Sequence, residues 1–341
     1  MPTAFSIAIW NGLIDNDLRR DGISLRSLAT TTDRDARQSH FQQTQPNFFR
    51  HGGNTPPLFS RSRGRDVRLI GLSFNDSLRV ILVRPDSDIK SVADLQGKRL
   101  SIPRRLNDNI DFWQTTVLRG FEDVLATEGL TLDDTVRTPV DIQRAYVDGS
   151  QTANRGEDSL WRADFMIGHQ REEALALMRG EVDAIYSQGA IAAITQAFIG
   201  ARAIFDSRDT ATWVNNDAPL TLTVTGDLLD ARPDIVDRVV EQILVAGEWA
   251  KHNEREAKRH IASEGGLPED LVDRAFSPDI HRQLDVSLDE VLIEHLRSQH
   301  QGLLDRGFID TPVDFDAFID FGPLRRAQER LAARTIREAA E

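Results

Sequence analysis

Short runs of β-branched and apolar residues alternate with stretches of helical spacing over the first two thirds of the chain. This alternation constrains the fold more than any other feature. Residues 67–71, 79–83, 99–102, 182–186 and 201–205 read as strands. Residues 112–125, 170–179 and 190–198 carry apolar side chains at helical spacing. Strand and helix in alternation predict an α/β fold with parallel sheets. At the start of the chain, residues 5–10 are predicted as a short buried strand. A turn at Asn11-Gly12, a helix over 13–20 and a strand over 23–28 follow. After about Asp227 the pattern becomes helical. Pro233 suits a first helical position, and Ile235, Val239 and Ile243 share a face that needs a partner. Ser287 and Glu290 have capping-box spacing, with Val286 and Val291 placed as a staple.

A chain of 341 residues, 40% hydrophobic and 28% charged, can bury two cores. The pattern divides it into one lobe of residues 1–83 and 219–341 and an inserted lobe of 84–218, joined near Val83 and Leu220. The expected architecture is two mixed sheets flanked by helices, with the ligand in an interlobe cleft at the carboxyl ends of strands. A net charge of −13 repels phosphate backbones and argues against nucleic acid as a partner. The absence of cysteine removes disulfides, thiolate metal sites and a cysteine nucleophile. No apolar run reaches the length of a membrane span, and residues 5–10 are too short for the core of a signal peptide. The sequence as written therefore reads as cytoplasmic, or as periplasmic if a leader has been removed. No metal or cofactor motif is found.

The segment from His40 to Pro57 concentrates chemistry. It holds His40, Gln45, Arg50, His51, Gly52 and Gly53, followed by Pro56 and Pro57. A guanidinium grips a carboxylate, sulfinate or sulfonate through paired N–H bonds, and consecutive glycines let backbone amides approach an anion. The same residues also suit a turn with a surface arginine and solvated histidines, and on residue type alone both readings stand. Asn11 and Gly12, Ser73, and Ser187 each follow a predicted strand and are candidate ligand contacts, or turns and caps. Trp213 and Trp10 are candidates for an aromatic wall, or simple core.

With these residues in view, the chain resembles the hydroxybiphenyl-sulfinate desulfinases and, more widely, the nitrate/sulfonate/taurine solute-binding superfamily of type II periplasmic-binding fold. The likeness spans most of the chain. It is carried by His40-Phe41, Gln45-Pro46, Arg50-His51-Gly52-Gly53 and Pro56-Pro57-Leu58, and less specifically by residues 93–99 and 180–187. It implies that His40 and Arg50 flank a sulfinate and that the family's cysteine falls at Gly12, after Asn11. It also favours a ligand site around Arg50. Three functions follow as expectations. One is a solute-binding protein that holds a small organic anion, with an ABC permease as partner if exported. Another is a cytoplasmic lyase or hydrolase in which His40 and Arg50 act without a cysteine. A third is a sensor or scaffold that has lost the site.

Overall fold

The computed structural model describes residues 1–28, 31, 33–148, 170–210 and 219–340. In chain order its main elements are α1 Ala4–Trp10, α2 Leu13–Leu18, α3 Arg34–Gln42, β1 Phe49–Gly52, α4 Thr55–Ser62, β2 Val67–Ser73, β3 Arg79–Val83, β4 Arg99–Arg105, α5 Phe112–Ala126 and β5 Val136–Ile142. They continue with α6 Arg171–Met178, β6 Ile185–Gln188, α7 Gly189–Ile199, β7 Arg202–Asp206, β8 Leu220–Thr225, α8 Gly226–Ala231, α9 Pro233–His252, α10 Glu254–Gly265, α11 Glu290–Asp305 and α12 Gly322–Ala340. The chain forms two compact units. Met1–Asn75, Ala218–Ile261 and Asp279–Glu341 make the first, and Asp76–Asp217 with Ala262–Pro278 the second. The strand β3, which the sequence pattern assigns to the first lobe, groups with the second unit because it is the centre of that unit's antiparallel sheet.

In the first unit β8 lies between β1 and β2, antiparallel to both. Its sequence Leu-Thr-Leu-Thr-Val-Thr is buried on both faces. Leu222 and Val224 line one face, and Thr221, Thr223 and Thr225 the other. A buried hydroxyl needs a partner. Thr221 Oγ1 donates to Gly52 O at 3.2 Å, Thr223 Oγ1 lies 3.2 Å from Gln43 Oε1, and Thr225 Oγ1 accepts from Phe48 N–H at 3.2 Å. The long helix α9 packs against α1, α2 and α12. Ile235, Val239 and Ile243 of α9 are buried, so the face seen in the sequence has its partner within this unit.

The structure corrects three sequence expectations here. Residues 5–10 belong to a helix, not a strand. Thr3 caps it by accepting from Ser6 N–H, and Ala4, Ile7 and Ala8 fall on one buried face at spacings of three and four. Residues 23–28 form no strand. Ser287 pairs with Leu72 of β2 instead of capping a helix; α11 starts after Asp289, and Val291 is 62% exposed, so no staple forms.

In the second unit β3 lies between β6 and β7, antiparallel to both, while β4 and β5 run parallel. A parallel bridge between Leu100 and Ala184 ties the two sheets. The sheets are mixed: the consecutive strands β4 and β5 pair in parallel, while β2 pairs antiparallel with β8, which is distant in sequence. The core gathers Trp113, Val117 and Phe121 of α5 against Tyr186. Gly120 is required there, since a Cβ would lie 2.3 Å from the Tyr186 ring.

Candidate functional site

Side chains of directly paired strand residues share a face. Arg50 opposes Thr223 and Gly52 opposes Thr221, so Arg50 stands on the threonine face of the first sheet. The guanidinium is buried, with 6% of the residue exposed, and Nη1 donates to Gly53 O at 2.7 Å. Gly52 lies against it: a Cβ there would be in ordinary contact with Nη2, at 3.5 Å. Gly53 has open space where its Cβ would be. Asn54 fixes this corner by donating to Pro219 O at 2.9 Å, and α4 then begins with Thr55, Pro56 and Pro57 in its first turn.

The helix α3 covers the same face. Asp33 caps its start, accepting from Asp35 and Ala36 N–H. Gln43 ends it in a left-handed conformation (φ 49°) and reaches Thr223, the partner of Arg50. His40 lies in the last turn, half-buried. Burial first, then the Arg50 guanidinium and the chain's terminal amine, hold its pKa well below the usual histidine value. The imidazole is thus neutral at pH 7 and able to donate at one nitrogen and accept at the other. Gln45 is placed by its backbone, whose N–H donates to Ser39 Oγ at 3.1 Å.

His51 points to the opposite face, with Leu222. Its Nε2 lies 2.9 Å from Ser73 Oγ at the end of β2, and its ring is 6.5 Å from that of Phe5 in α1. The predicted contact Ser73 is therefore in the first unit, held by His51. Asn11 and Gly12 form the turn between α1 and α2, where their N–H groups donate to Ile7 O and Ile9 O. Gly12 thus follows a helix rather than the strand expected from the sequence. Trp10 is exposed and stacks on His260 at 4.8 Å. Trp213 lies outside the described residues.

Ser187 belongs to the second unit and is fully buried; its hydroxyl donates to Gln170 Oε1 at 2.6 Å. Gln170 in turn donates to Tyr186 O. Beside it, Glu173 accepts from Trp113 Nε1 at 2.6 Å and Ser101 Oγ at 3.2 Å. Residue-type reasoning missed Gln43 and Thr223, which position the Arg50 face. Their role depends on a helix end meeting a strand some 180 residues away. No helix of the described residues is long and apolar enough to cross a membrane.

Comparison with known proteins adds to this geometry. Residues 53–117 match the NMT1/THI5-like family. The 2'-hydroxybiphenyl-2-sulfinate desulfinase of Rhodococcus erythropolis is 30% identical over 298 residues, covering 81% of this chain and 80% of that protein. Among solved structures, a cysteine-to-serine variant of the desulfurisation enzyme DszB in complex with biphenyl-2-sulfinic acid matches with a TM-score of 0.76 and 28% identity, over 97% of this chain and 96% of that one. A putative periplasmic sulfonate-binding protein from Methylobacillus flagellatus matches with a TM-score of 0.69 at 20% identity, over 96% and 89% of the two chains. The alkanesulfonate-binding protein of Xanthomonas axonopodis pv. citri, bound to MOPS, gives 0.62 at 17%, over 93% and 94%. The fold is the mixed-sheet α/β fold of periplasmic sulfonate-binding proteins.

Proposed function

Since this chain belongs to the family of the 2'-hydroxybiphenyl-2-sulfinate desulfinases, we propose that its first unit binds a small organic anion, a sulfinate or sulfonate, on Arg50. The observation that carries this reading is the buried Arg50 guanidinium beside Gly52-Gly53, with the neutral His40 next to it. An anionic oxygen pair fits the planar fork of a guanidinium through two parallel N–H bonds. His40 adds a neutral hydrogen-bonding group. DszB, a protein of the same fold, holds biphenyl-2-sulfinic acid, which supports an anion of this class.

The desulfinase relatives favour a second reading, turnover of an aryl sulfinate. Desulfination breaks the carbon–sulfur bond; a proton from water ends on the ring carbon, and the hydroxyl stays on sulfur, released as bisulfite. In this reading His40 moves that proton, with Arg50 orienting the anion. The two readings separate in one experiment. Biphenyl-2-sulfinate and an alkanesulfonate are titrated calorimetrically into the wild type and Arg50→Ala, and sulfite is assayed with protein far below ligand. Losing one member of a desolvated charge pair costs about 2–5 kcal/mol, so Arg50→Ala is expected to bind more than about tenfold more weakly. Equal affinity in both proteins would place the site elsewhere. Sulfite release by the wild type, lost in His40→Ala, would establish turnover.

A further inference from the structure

Three elements hold His40 and Arg50 together. The last turn of α3 carries His40, Gln43 closes that turn onto Thr223, and Thr223 pairs with Arg50 across β1 and β8. Among the charges acting on the imidazole is the positive Arg50 guanidinium. On its own helix, Arg37 lies one turn back, while Asp33 and Asp35 are exposed at the far end. On α4, which packs against α3, the charged groups are Arg61 and the capping Arg63. Arg61 is engaged with Asp66, and Arg63 lies over the Phe59 ring. On β1, His51 faces the other side of the sheet.

A proton on His40 therefore adds a positive charge beside a buried positive charge, which is unfavourable while the site is empty. An anion on Arg50 reverses the sign of the local field. We propose that His40 takes up a proton when an organic anion binds Arg50, so that the site receives anion and proton together. This rests on the anion-binding reading above. The depressed pKa of the histidine, set first by burial and then by Arg50, agrees with it. By linkage, affinity then rises as pH falls, by up to about tenfold per pH unit between the pKa of the empty site and that of the filled one.

The test is calorimetry with biphenyl-2-sulfinate in Tris and in bis-Tris at one neutral pH. Both buffers are cationic, so neither competes for the site, and they differ in heat of ionisation. The expected result is a buffer-dependent heat corresponding to uptake of a fraction of a proton up to one per site, together with weaker binding at higher pH. His40→Asn and His40→Gln, checked for folding by circular dichroism, should bind with buffer-independent heat and a flat pH profile. Wild-type binding with buffer-independent heat and flat affinity overturns the proposal, and so does proton uptake that persists in a folded histidine variant. If neither biphenyl-2-sulfinate nor an alkanesulfonate binds the wild type at any pH, the anion-binding reading itself fails, and the proton linkage with it.

Discussion

Gly12 is demanded by its turn. Its φ is +68°, and a Cβ would meet Asn16 Nδ2 at 3.3 Å. A side chain in the left-handed region costs about 1–2 kcal/mol. Backbone geometry therefore favours glycine at this position. Gly12→Cys should lower stability in urea by about 1–2 kcal/mol and release no more sulfite from an aryl sulfinate than the wild type does. Sulfite production above the wild-type rate would support the match to the family's cysteine. At Arg50 the geometry makes a different demand. The guanidinium donates to Gly53 O from under Gly52, and an ammonium cannot reproduce the planar fork. Arg50→Lys should recover only part of the affinity lost in Arg50→Ala; full recovery would mean that charge alone matters.

Among the elements, α6 carries the most consequential buried group. Glu173 is fully buried and accepts from Trp113 of α5 and Ser101 of β4. Burial outweighs these donors and raises its pKa from 4.5 to about 8. Between those values the unfolded chain has lost the proton and the folded chain keeps it. Stability therefore falls as pH rises from about 4.5 to about 8 and levels off beyond. The slope reaches at most about 1.4 kcal/mol per pH unit. Glu173→Gln keeps the shape and an acceptor for Trp113 while removing the titration. Urea midpoints of this variant should rise near pH 8 relative to the wild type, with a shallower dependence between pH 5 and 8. An unchanged slope would show that Glu173 is ionised throughout.

At the scale of the molecule, two adjacent residues of α9 close the discontinuous first unit. Asp237 is buried and takes Arg326 through two bonds of 2.8 Å, and Arg330 through one more, both from α12. Arg238 turns toward the start of the chain and binds Asp17 through Nε at 2.8 Å, and Asp21. One turn of helix thus ties the C-terminal helix on one side and the N-terminal helices on the other. Charged hydrogen bonds contribute about 1.5–3 kcal/mol each at most. Arg326 and Arg330 are about two-fifths exposed, which reduces the value of their pairs. Asp237→Ala should cost about 1–3 kcal/mol overall and speed amide exchange along α12 before it affects the second unit. Unchanged exchange in α12 would show that apolar packing alone holds that helix.

Local periodicity determined much of this protein from the sequence. The helices at 112–126, 171–178, 189–199 and 233–252 and the strands at 67–73, 79–83 and 99–105 fall where spacing and caps place them. These are properties of neighbouring residues, set by 3.6- or 2-residue repeats. The candidate ligand residues around Arg50 were legible as chemical types, because a basic residue beside paired glycines is visible without a fold. Tertiary structure decided the rest. Residues 5–10 are apolar enough for either element, and packing on the α9 face, where a Cβ added at Gly247 would lie 3.6 Å from that of Ala4, settles them as helix. Strand direction followed from which distant strands meet, since β8 returns between β1 and β2. The same pairing put Arg50 with Gln43 on one face and His51 with Ser73 on the other. Partners separated by 169 and 180 residues leave no local signature, because the energy that joins them appears only when both are buried.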